Sequence, residues 1–315
     1  MCAIIQPGDG MYNQEIKKRY LEFLRDQSSD KTAAAVFAAA AETEERVKKD
    51  IAQFSKEDTD LFVSTLEIEE LSKVYLIRSA IKKYLDWCRE NEVFDGIQTA
   101  ILDGFTTNID ISGRIAKIAF RDENDLVFAM RKTREFDDGY AAPVVFALAW
   151  IGLLRPEIYE LKDDEVDLPT MTVRGFIIPE KIGMVLSEFR NTREGLRENN
   201  ITTFKVYKDF TSVKFIKPFR AGNSTRKGDE YSARRMETMM AEFNSRYVSL
   251  GYPPRFTFDN VWKSGRCHAL WEMESDGFDI NAKENEQEIL DLFRGKKNIA
   301  GILWYYKQYK KAFNL

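Results

Sequence analysis

The stretch from Ala141 to Leu154 constrains the fold of this chain more than any other, because it contains no charged residue. A helix that crosses a membrane needs about 20 consecutive apolar residues, so this run is too short to span a bilayer. A helix that is apolar on every face is instead buried in a protein core. The run therefore predicts a core helix of a globular protein.

The chain has 315 residues, enough for two domains that each bury a core. Weak periodicity, glycines and polar residues between Glu92 and Ile111 place a domain boundary near 105–115. We expect a helical domain over 11–108 and a second domain over 109–315. Residues 1–10 lack the basic start and apolar run of a signal peptide, and are interpreted as a disordered tail, an alternative start before Met11, or non-native residues.

Periodicity predicts a mainly α fold with a small β component. In the first domain we expect helices over 12–27, 31–54, about 56–67 (with Ser55 as N-cap) and 68–91. In the second domain we expect helices over 122–136, 179–197 and 231–250. Met171 to Val173 and Phe176 to Ile178 predict a short hairpin that turns at Arg174-Gly175.

Cysteine and histidine usage excludes several kinds of site. The three cysteines are far apart, and His268 is the only histidine. No metal-ligand spacing exists, so we expect no zinc site and no cofactor. The single histidine also argues against a histidine-based nucleophile triad. This usage is typical of a reducing, cytoplasmic protein.

The net charge of −4 argues mildly against nucleic-acid binding, but the distribution of charge argues for it. Basic residues exceed acidic ones between Ile201 and Arg235, and no acid interrupts the basic residues between Arg294 and Lys311. A local positive field attracts phosphates whatever the total charge. The alternative for each run is an ordinary solvated surface.

A C-terminal motif runs from Lys263 to Tyr306. It begins with Lys263-Ser264-Gly265-Arg266-Cys267-His268, continues as an apolar helical pattern, and turns at Asp276-Gly277-Phe278-Asp279-Ile280. A glycine-basic turn follows at Gly295, and Tyr305 comes ten residues later. This order resembles the C-terminal signature of the tyrosine recombinases, the phage integrase family. That signature has a His-x-x-Arg-His box, an Asn-Gly-Val-Asp-Ile turn, a Leu-Gly-His turn and a nucleophilic tyrosine.

Seven positions match this signature in register: Arg266, Gly277, Asp279, Ile280, Gly295, Ile299 and Tyr305. Lys263, Cys267 and Lys296 stand where the family has histidines. The resemblance implies that Arg266 matches a phosphate-binding arginine and Tyr305 the nucleophile. It also likens residues 81–87 to the closing helix of the family's N-terminal DNA-clamping domain.

A second box follows the core helix. Gly152-Leu153-Leu154-Arg155-Pro156-Glu157 to Leu161 resembles the family's Gly-Leu-Arg-x-x-Glu-x-x-x-Leu, with Leu154 at the position of the first catalytic arginine. Arg155 comes one residue later, about 100° around a helix, and only a shifted turn would restore it. Loss of one phosphate clamp costs roughly 3 kcal/mol, about a hundredfold in rate. Where the family has a lysine that protonates the leaving oxygen, the hairpin offers only Arg174, a poor proton donor.

The resemblance leads to three hypotheses. The first is a sequence-specific double-stranded DNA-binding repressor that maintains phage lysogeny, built on a degenerate recombinase scaffold whose two domains close around the duplex. The second is an active site-specific recombinase with Tyr305 as nucleophile, Arg155 and Arg266 as clamps, and Lys263 or Lys296 as acid. The third is a protein-interaction module that keeps only the fold.

Under the first hypothesis no catalysis is expected. The vestigial catalytic positions are then Leu154, Arg155, Lys263, Arg266, Lys296 and Tyr305. The helix from Ser72 to Lys83 is expected to read base edges. The expected DNA-binding residues are Lys73, Arg78, Lys82, Lys83, Lys214, Lys217, Arg220, Arg226, Lys227, Arg234, Arg235, Lys263, Arg266 and Lys296. The implied partner is operator DNA on the nucleoid of a bacterial host, with no membrane. Self-association and a phage-encoded antagonist stay open.

Overall fold

The computed structural model describes residues 12–25, 30–66, 68, 70–133, 141–198, 203–221, 231–294 and 296–315. It is mainly helical with a small β component, which confirms the predicted fold class. The chain divides into two compact units: Met1–Ile111 with Leu303–Tyr305, and Ser112–Ile302 with Tyr306–Leu315. The expected tail at residues 1–10 lies outside the described residues. The boundary between 108 and 109 stays a prediction about where independently folding domains meet.

The first unit is a bundle of helices in which α2 contacts α1, α3 and α4. Its helices are α1 (Gln14–Leu24), α2 (Asp30–Val47), α3 (Lys56–Thr65), α4 (Leu71–Glu90) and α5 (Ala100–Gly104). Helical spacing predicts an apolar stripe on α4, and all of its residues except the half-buried Ala80 are buried: Val74, Ile77, Ile81, Tyr84, Leu85 and Cys88. Helical spacing therefore identified the face that the bundle covers.

Helix α3 begins with the predicted cap. The Ser55 hydroxyl accepts the Asp58 backbone N–H at 3.2 Å, and the Asp58 carboxylate accepts the Ser55 N–H at 2.9 Å. This capping box satisfies two backbone donors that no helical carbonyl can reach. The predicted helix over 31–54, in contrast, is wrong beyond Val47. Lys48 adopts a φ of 56°, and a separate 3-10 turn follows at Ile51–Gln53.

A charged network lies inside the first unit. Lys17, Glu44 and Asp50 are all 0% exposed. The ammonium of Lys17 donates to the carboxylate of Glu44, and Asp50 lies 3.8 Å from the same ammonium. The hydroxyl of Tyr84 also donates to Asp50, at 3.3 Å. Buried charges are tolerated only when paired in this way, so the network ties α1 and α2 to α4.

The second unit surrounds α8 (Ala141–Trp150), all of whose residues are buried. This confirms the core helix, which ends before Leu154 because the chain turns at Gly152. Helices α10, α11 and α12 contact α8. The helices of the unit are α6 (Ser112–Ile118), α7 (Glu123–Thr133), α8, α9 (Arg155–Glu160), α10 (Glu180–Asn191), α11 (Ala233–Ser249), α12 (Phe258–Ser275), α13 (Glu286–Leu292) and α14 (Ile299–Phe313), with Leu303–Tyr305 of α14 grouped with the first unit.

Helix α12 approaches α8 very closely at Gly265. A Cβ atom on Gly265 would lie 2.0 Å from the carbonyl oxygen of Trp150. No other residue allows this approach, because every other side chain begins with a Cβ. The contact brings the next residue, Arg266, to the end of the core helix.

Two antiparallel three-stranded sheets complete the second unit. The first has the order β1 (Val166–Asp167), β2 (Thr172–Val173) and β3 (Phe176–Ile177). It confirms the predicted hairpin, whose turn residues Arg174 and Gly175 have φ values of 46° and 84°. The second has the order β4 (Glu194–Glu198), β5 (Thr203–Lys208) and β6 (Phe219–Ala221).

The helix predicted over 179–197 is wrong in its last part. Helix α10 ends at Asn191, and the residues from Glu194 form β4, which pairs with β5. The ammonium of Lys208, in β5, donates to the carbonyl of Phe189 and, at 3.3 Å, to that of Arg190. A cation from a distant strand thus caps the C-terminal end of α10, which no local pattern reveals.

Among the described residues, no helix combines the length and hydrophobicity that a bilayer crossing requires. In the same part of the chain, no group of three or more His, Cys, Asp or Glu side chains could hold a metal ion. Cys88 and Cys267 are free thiols and both are buried.

Candidate functional site

Arg266 is the centre of the candidate site. It lies on α12 and is only 7% exposed. Its Nη2 donates to the carbonyl oxygen of Trp150 at 2.8 Å, while its Nε has no hydrogen-bond partner within the described residues. Burial lowers the pKa of Arg266 to about 10. A buried guanidinium with an unused donor is suited to an anion.

Gly152 makes room for this guanidinium. It has a φ of 107°, and a Cβ atom on it would lie 2.7 Å from Cζ of Arg266. Its carbonyl oxygen accepts Nε1 of Trp262 and Nη1 of Arg294, both at 3.3 Å. Position 152 of the motif therefore requires glycine for two reasons: its φ is positive, and the Arg266 guanidinium occupies the space that a Cβ would need.

A second arginine, Arg294, also reaches this turn. Its Nη1 and Nη2 donate to the two carboxylate oxygens of Glu157 at 2.5 and 2.6 Å. Glu157 also accepts the backbone N–H of Leu154 at 2.7 Å. The hydrogen bonds from Arg294 hold the pKa of Glu157 below its usual value. The positive charge of Arg294 in turn contributes to the lowered pKa of Arg266.

The residues at the position of the family's first arginine do not supply a guanidinium there. Leu154 is half-buried. The Nη1 of Arg155 lies 3.3 Å from Glu237, and its Nη2 lies 3.3 Å from Asp259. The Arg155 guanidinium also stacks over the ring of Phe258, 4.7 Å from its centroid. Arg155 therefore joins α9 to α11 and α12 through partners that it does not share with Arg266.

Arg174, the basic residue of the hairpin, is also paired with a carboxylate, that of Glu165. Nε and Nη2 of Arg174 each donate to Glu165 at 2.8 Å, and Nη1 donates to the carbonyl of Glu157 at 3.3 Å. The hydrogen bonds to Glu165 raise the pKa of Arg174 above its ordinary value. The sequence argument that Arg174 is a poor proton donor thus agrees with its surroundings.

The other positions that correspond to the catalytic residues of the recombinase signature lie on three segments. Lys263 is half-buried on α12, about one turn before Arg266. Lys296 is exposed between α13 and α14. Tyr305, on α14, is 7% exposed and falls in the segment grouped with the first unit. Their functional roles remain predictions.

The tyrosines that follow Tyr305 have structural partners. The hydroxyl of Tyr306 donates to Glu274 at 2.5 Å, and the hydroxyl of Tyr309 donates to the carbonyl of Phe120 at 2.9 Å. Lys310 also donates to Glu274, at 2.7 Å. These bonds attach the end of α14 to the second unit within the same chain.

Several basic residues expected to contact phosphate are paired within the chain. Lys214 pairs with Glu160, Arg220 with Asp209 at 3.2 Å, and Arg235 with Glu242 at 3.3 Å. Lys217 is 7% exposed and donates to two backbone carbonyls and to Asp163. Arg234 is exposed, whereas Arg226 and Lys227 lie outside the described residues. DNA contact by the paired residues stays a prediction, and it would compete with these carboxylates.

The basic residues of α4 are all on its exposed surface. Lys73 and Lys83 are exposed there. Lys82 pairs with Asp86 at 2.6 Å, and Nε of Arg78 donates to the carbonyl of Leu102 at 3.2 Å. The helix expected to read DNA therefore presents its cations outside the buried stripe.

Sequence reasoning missed the pairing of Arg294 with Glu157. Arg294 was counted only as part of a basic run, and Glu157 only as a motif match. The available signal was the motif glutamate, Glu157, near position 154, which holds leucine where the resembling motif has arginine. The sequence separation of 137 residues hid the partner.

Comparisons with known proteins find two similarities, one to a solved structure and one to a protein family. The whole structure is similar to a crystal structure of XerA recombinase at 14% sequence identity, covering 96% of this chain and 98% of that one, with a TM-score of 0.38. No curated protein matches the sequence. Residues 11–90 match the family described as MrpR, N-terminal core-binding domain. The segment that ends with α4 is thus similar to the N-terminal core-binding domain of MrpR.

Proposed function

We propose that this chain is a sequence-specific, double-stranded DNA-binding repressor on a degenerate tyrosine recombinase scaffold. It would occupy operator sites and maintain phage lysogeny without cutting DNA. In this reading it is similar to the integrase-like, recombination-deficient master repressor of SPβ-type Bacillus prophages. The likeness of residues 11–90 to the MrpR core-binding domain supports the proposal for the N-terminal part.

One observation carries the non-catalytic part of the proposal. The family's first arginine position holds Leu154, and the adjacent Arg155 is engaged by Glu237 and Asp259. Strand cleavage needs preorganised cations where charge develops on the phosphoryl oxygens. A site that keeps the buried Arg266 but lacks the first clamp can hold a phosphate and is poorly equipped to break its ester bonds.

The test begins with selection of preferred duplexes from a random pool, followed by footprinting. We expect a preferred sequence that wild type and Tyr305→Phe bind equally. Arg266→Ala should weaken binding and reduce its salt dependence. If no preferred duplex emerges, the interaction-module hypothesis gains.

The selected duplex is then prepared as a suicide substrate, in which cleavage traps the protein covalently. We expect no covalent product from wild type. A covalent product that disappears in Tyr305→Phe would overturn the repressor proposal in favour of a recombinase. Genomic footprinting in the host would locate the operators.

A further inference from the structure

Two guanidinium groups converge on one turn of backbone at Gly152. Arg266 reaches it from α12, with Cζ 2.7 Å from the place where a Cβ on Gly152 would lie. Arg294 reaches it from the segment after α13, with Nη1 3.3 Å from the Gly152 carbonyl oxygen. The two positive charges are close enough for Arg294 to lower the pKa of Arg266.

An acidic side chain pairs with Arg294 at this turn, whereas none is hydrogen-bonded to Arg266 among the described residues. Glu157 offsets the charge of Arg294 through two hydrogen bonds. Arg266 donates to a neutral carbonyl, that of Trp150, and its buried Nε has no hydrogen-bond partner among the described residues. A buried charge of this kind is costly until an anion reaches it. One positive charge and an unused donor therefore remain at the turn.

Arg294 keeps capacity for a second ligand. A guanidinium carries five N–H donors, and the contacts with Glu157 and Gly152 engage only its two outer nitrogens. Its side chain is 29% exposed, so an anion in solvent can reach it. Arg155 is also partly exposed, but its contacts are with Glu237, Asp259 and Phe258.

We propose that Arg266 and Arg294 together hold one backbone phosphate of duplex DNA, and that Arg294 does so without restoring the cleavage clamp missing at Leu154, because its two outer nitrogens are engaged by Glu157. This inference rests on the proposed DNA-binding function and names the residue that completes its phosphate site. Glu157 then has two effects: it orients Arg294, and it competes with the phosphate for the same cation.

A purely structural role for Arg294 makes a different prediction. If the Glu157–Arg294 pair only joined α9 to the segment after α13, removal of either partner would weaken DNA binding to the same extent. If Arg294 binds phosphate, the two substitutions act in opposite directions. Arg294→Gln removes a phosphate ligand, whereas Glu157→Gln leaves the cation in place and removes its competitor.

The experiment measures binding of a fluorescent duplex at several salt concentrations, using the duplex selected above and the full chain. Arg294→Gln should weaken binding about tenfold or more. It should also reduce the slope of log K against log salt by up to about 0.9, the value for complete loss of one phosphate contact. Glu157→Gln should bind several-fold more tightly, with the slope retained. Thermal unfolding of each variant checks that it is folded.

Arg155→Gln is the matched control, since it removes another partly exposed arginine that is held by carboxylates. We expect its slope to equal that of wild type. The inference would be overturned if Arg155→Gln reduced the salt slope and Arg294→Gln did not. Equal weakening of DNA binding by Glu157→Gln and Arg294→Gln would also overturn it. If Arg294→Gln does not fold, the Glu157→Gln result decides alone. If wild type binds no duplex, the proposed function itself fails, which is a distinct result.

Discussion

The guanidinium of Arg155 lies 3.3 Å from the carboxylate of Asp259, on the helix that carries Arg266 about two turns later. A second carboxylate, Glu237 on α11, lies at the same distance from the other outer nitrogen of Arg155. The carboxylate partners of this side chain are therefore on α11 and α12. It joins three helices, whereas Arg294 reaches the turn at Gly152.

We expect Gly265→Ala to destabilise the second unit strongly. The new Cβ would meet the Trp150 carbonyl oxygen at 2.0 Å, so α8 and α12 must separate. Overpacking of this kind costs about 3 kcal/mol. Urea unfolding measures the loss, and Gly113→Ala is the control. A Cβ on Gly113 meets nothing within 4 Å, so alanine there should stabilise its helix by about 0.5 kcal/mol. Equal stability of the two variants would contradict the close approach.

Substitution of the buried lysine should destabilise the first unit. In Lys17→Met, the carboxylates of Glu44 and Asp50, both 0% exposed, lose the ammonium group with which they pair. Removal of one partner from a buried ion pair costs about 3–5 kcal/mol. Lys18→Met is the control, because Lys18 is exposed. Urea unfolding that gave the same midpoint for both variants would show that the network contributes little.

The stability of the protein should depend on the protonation of Glu44. Burial raises the pKa of Glu44 from 4.5 to about 7, against the lowering effect of Lys17. Because the folded state binds this proton more tightly, the contribution is fully present below pH 4.5 and declines as the pH rises to about 7. Glu44→Gln should remove this decline from the free energy of unfolding measured across that range. An NMR titration of the Glu44 carboxyl is the second measurement, and an ordinary glutamate pKa there would refute the prediction.

Glu157 should give the opposite dependence. Hydrogen bonds from Arg294 lower the pKa of Glu157, so its contribution is present above the ordinary value of 4.5 and is lost as the pH falls through the lowered value. We expect the stability difference between wild type and Glu157→Gln to shrink as the solution is acidified. Arg294→Gln should abolish this acid dependence, since it removes its main cause. A difference that stays constant with pH would count against the ion pair.

Much of the fold could be predicted from the sequence because its signals are local. Apolar spacing identified the buried face of α4, and an uncharged run identified α8. The Ser55 cap and the hairpin at Arg174-Gly175 also depend on residues within a few positions of one another. The end of α10 could not be predicted in this way. Its last carbonyls are capped by Lys208, and β4 exists because β5 pairs with it.

The sequence by itself determined which residue types are present: a leucine at position 154, Arg266 in a helix, and a glycine at 152. Only the tertiary structure decided which arginine reaches that glycine, because the choice depends on contacts between distant segments. Arg294 is separated from Glu157 by 137 residues, and Arg155 from Asp259 by 104. Charge pairing acts over a few ångströms in space, whereas motif spacing records only distance along the chain.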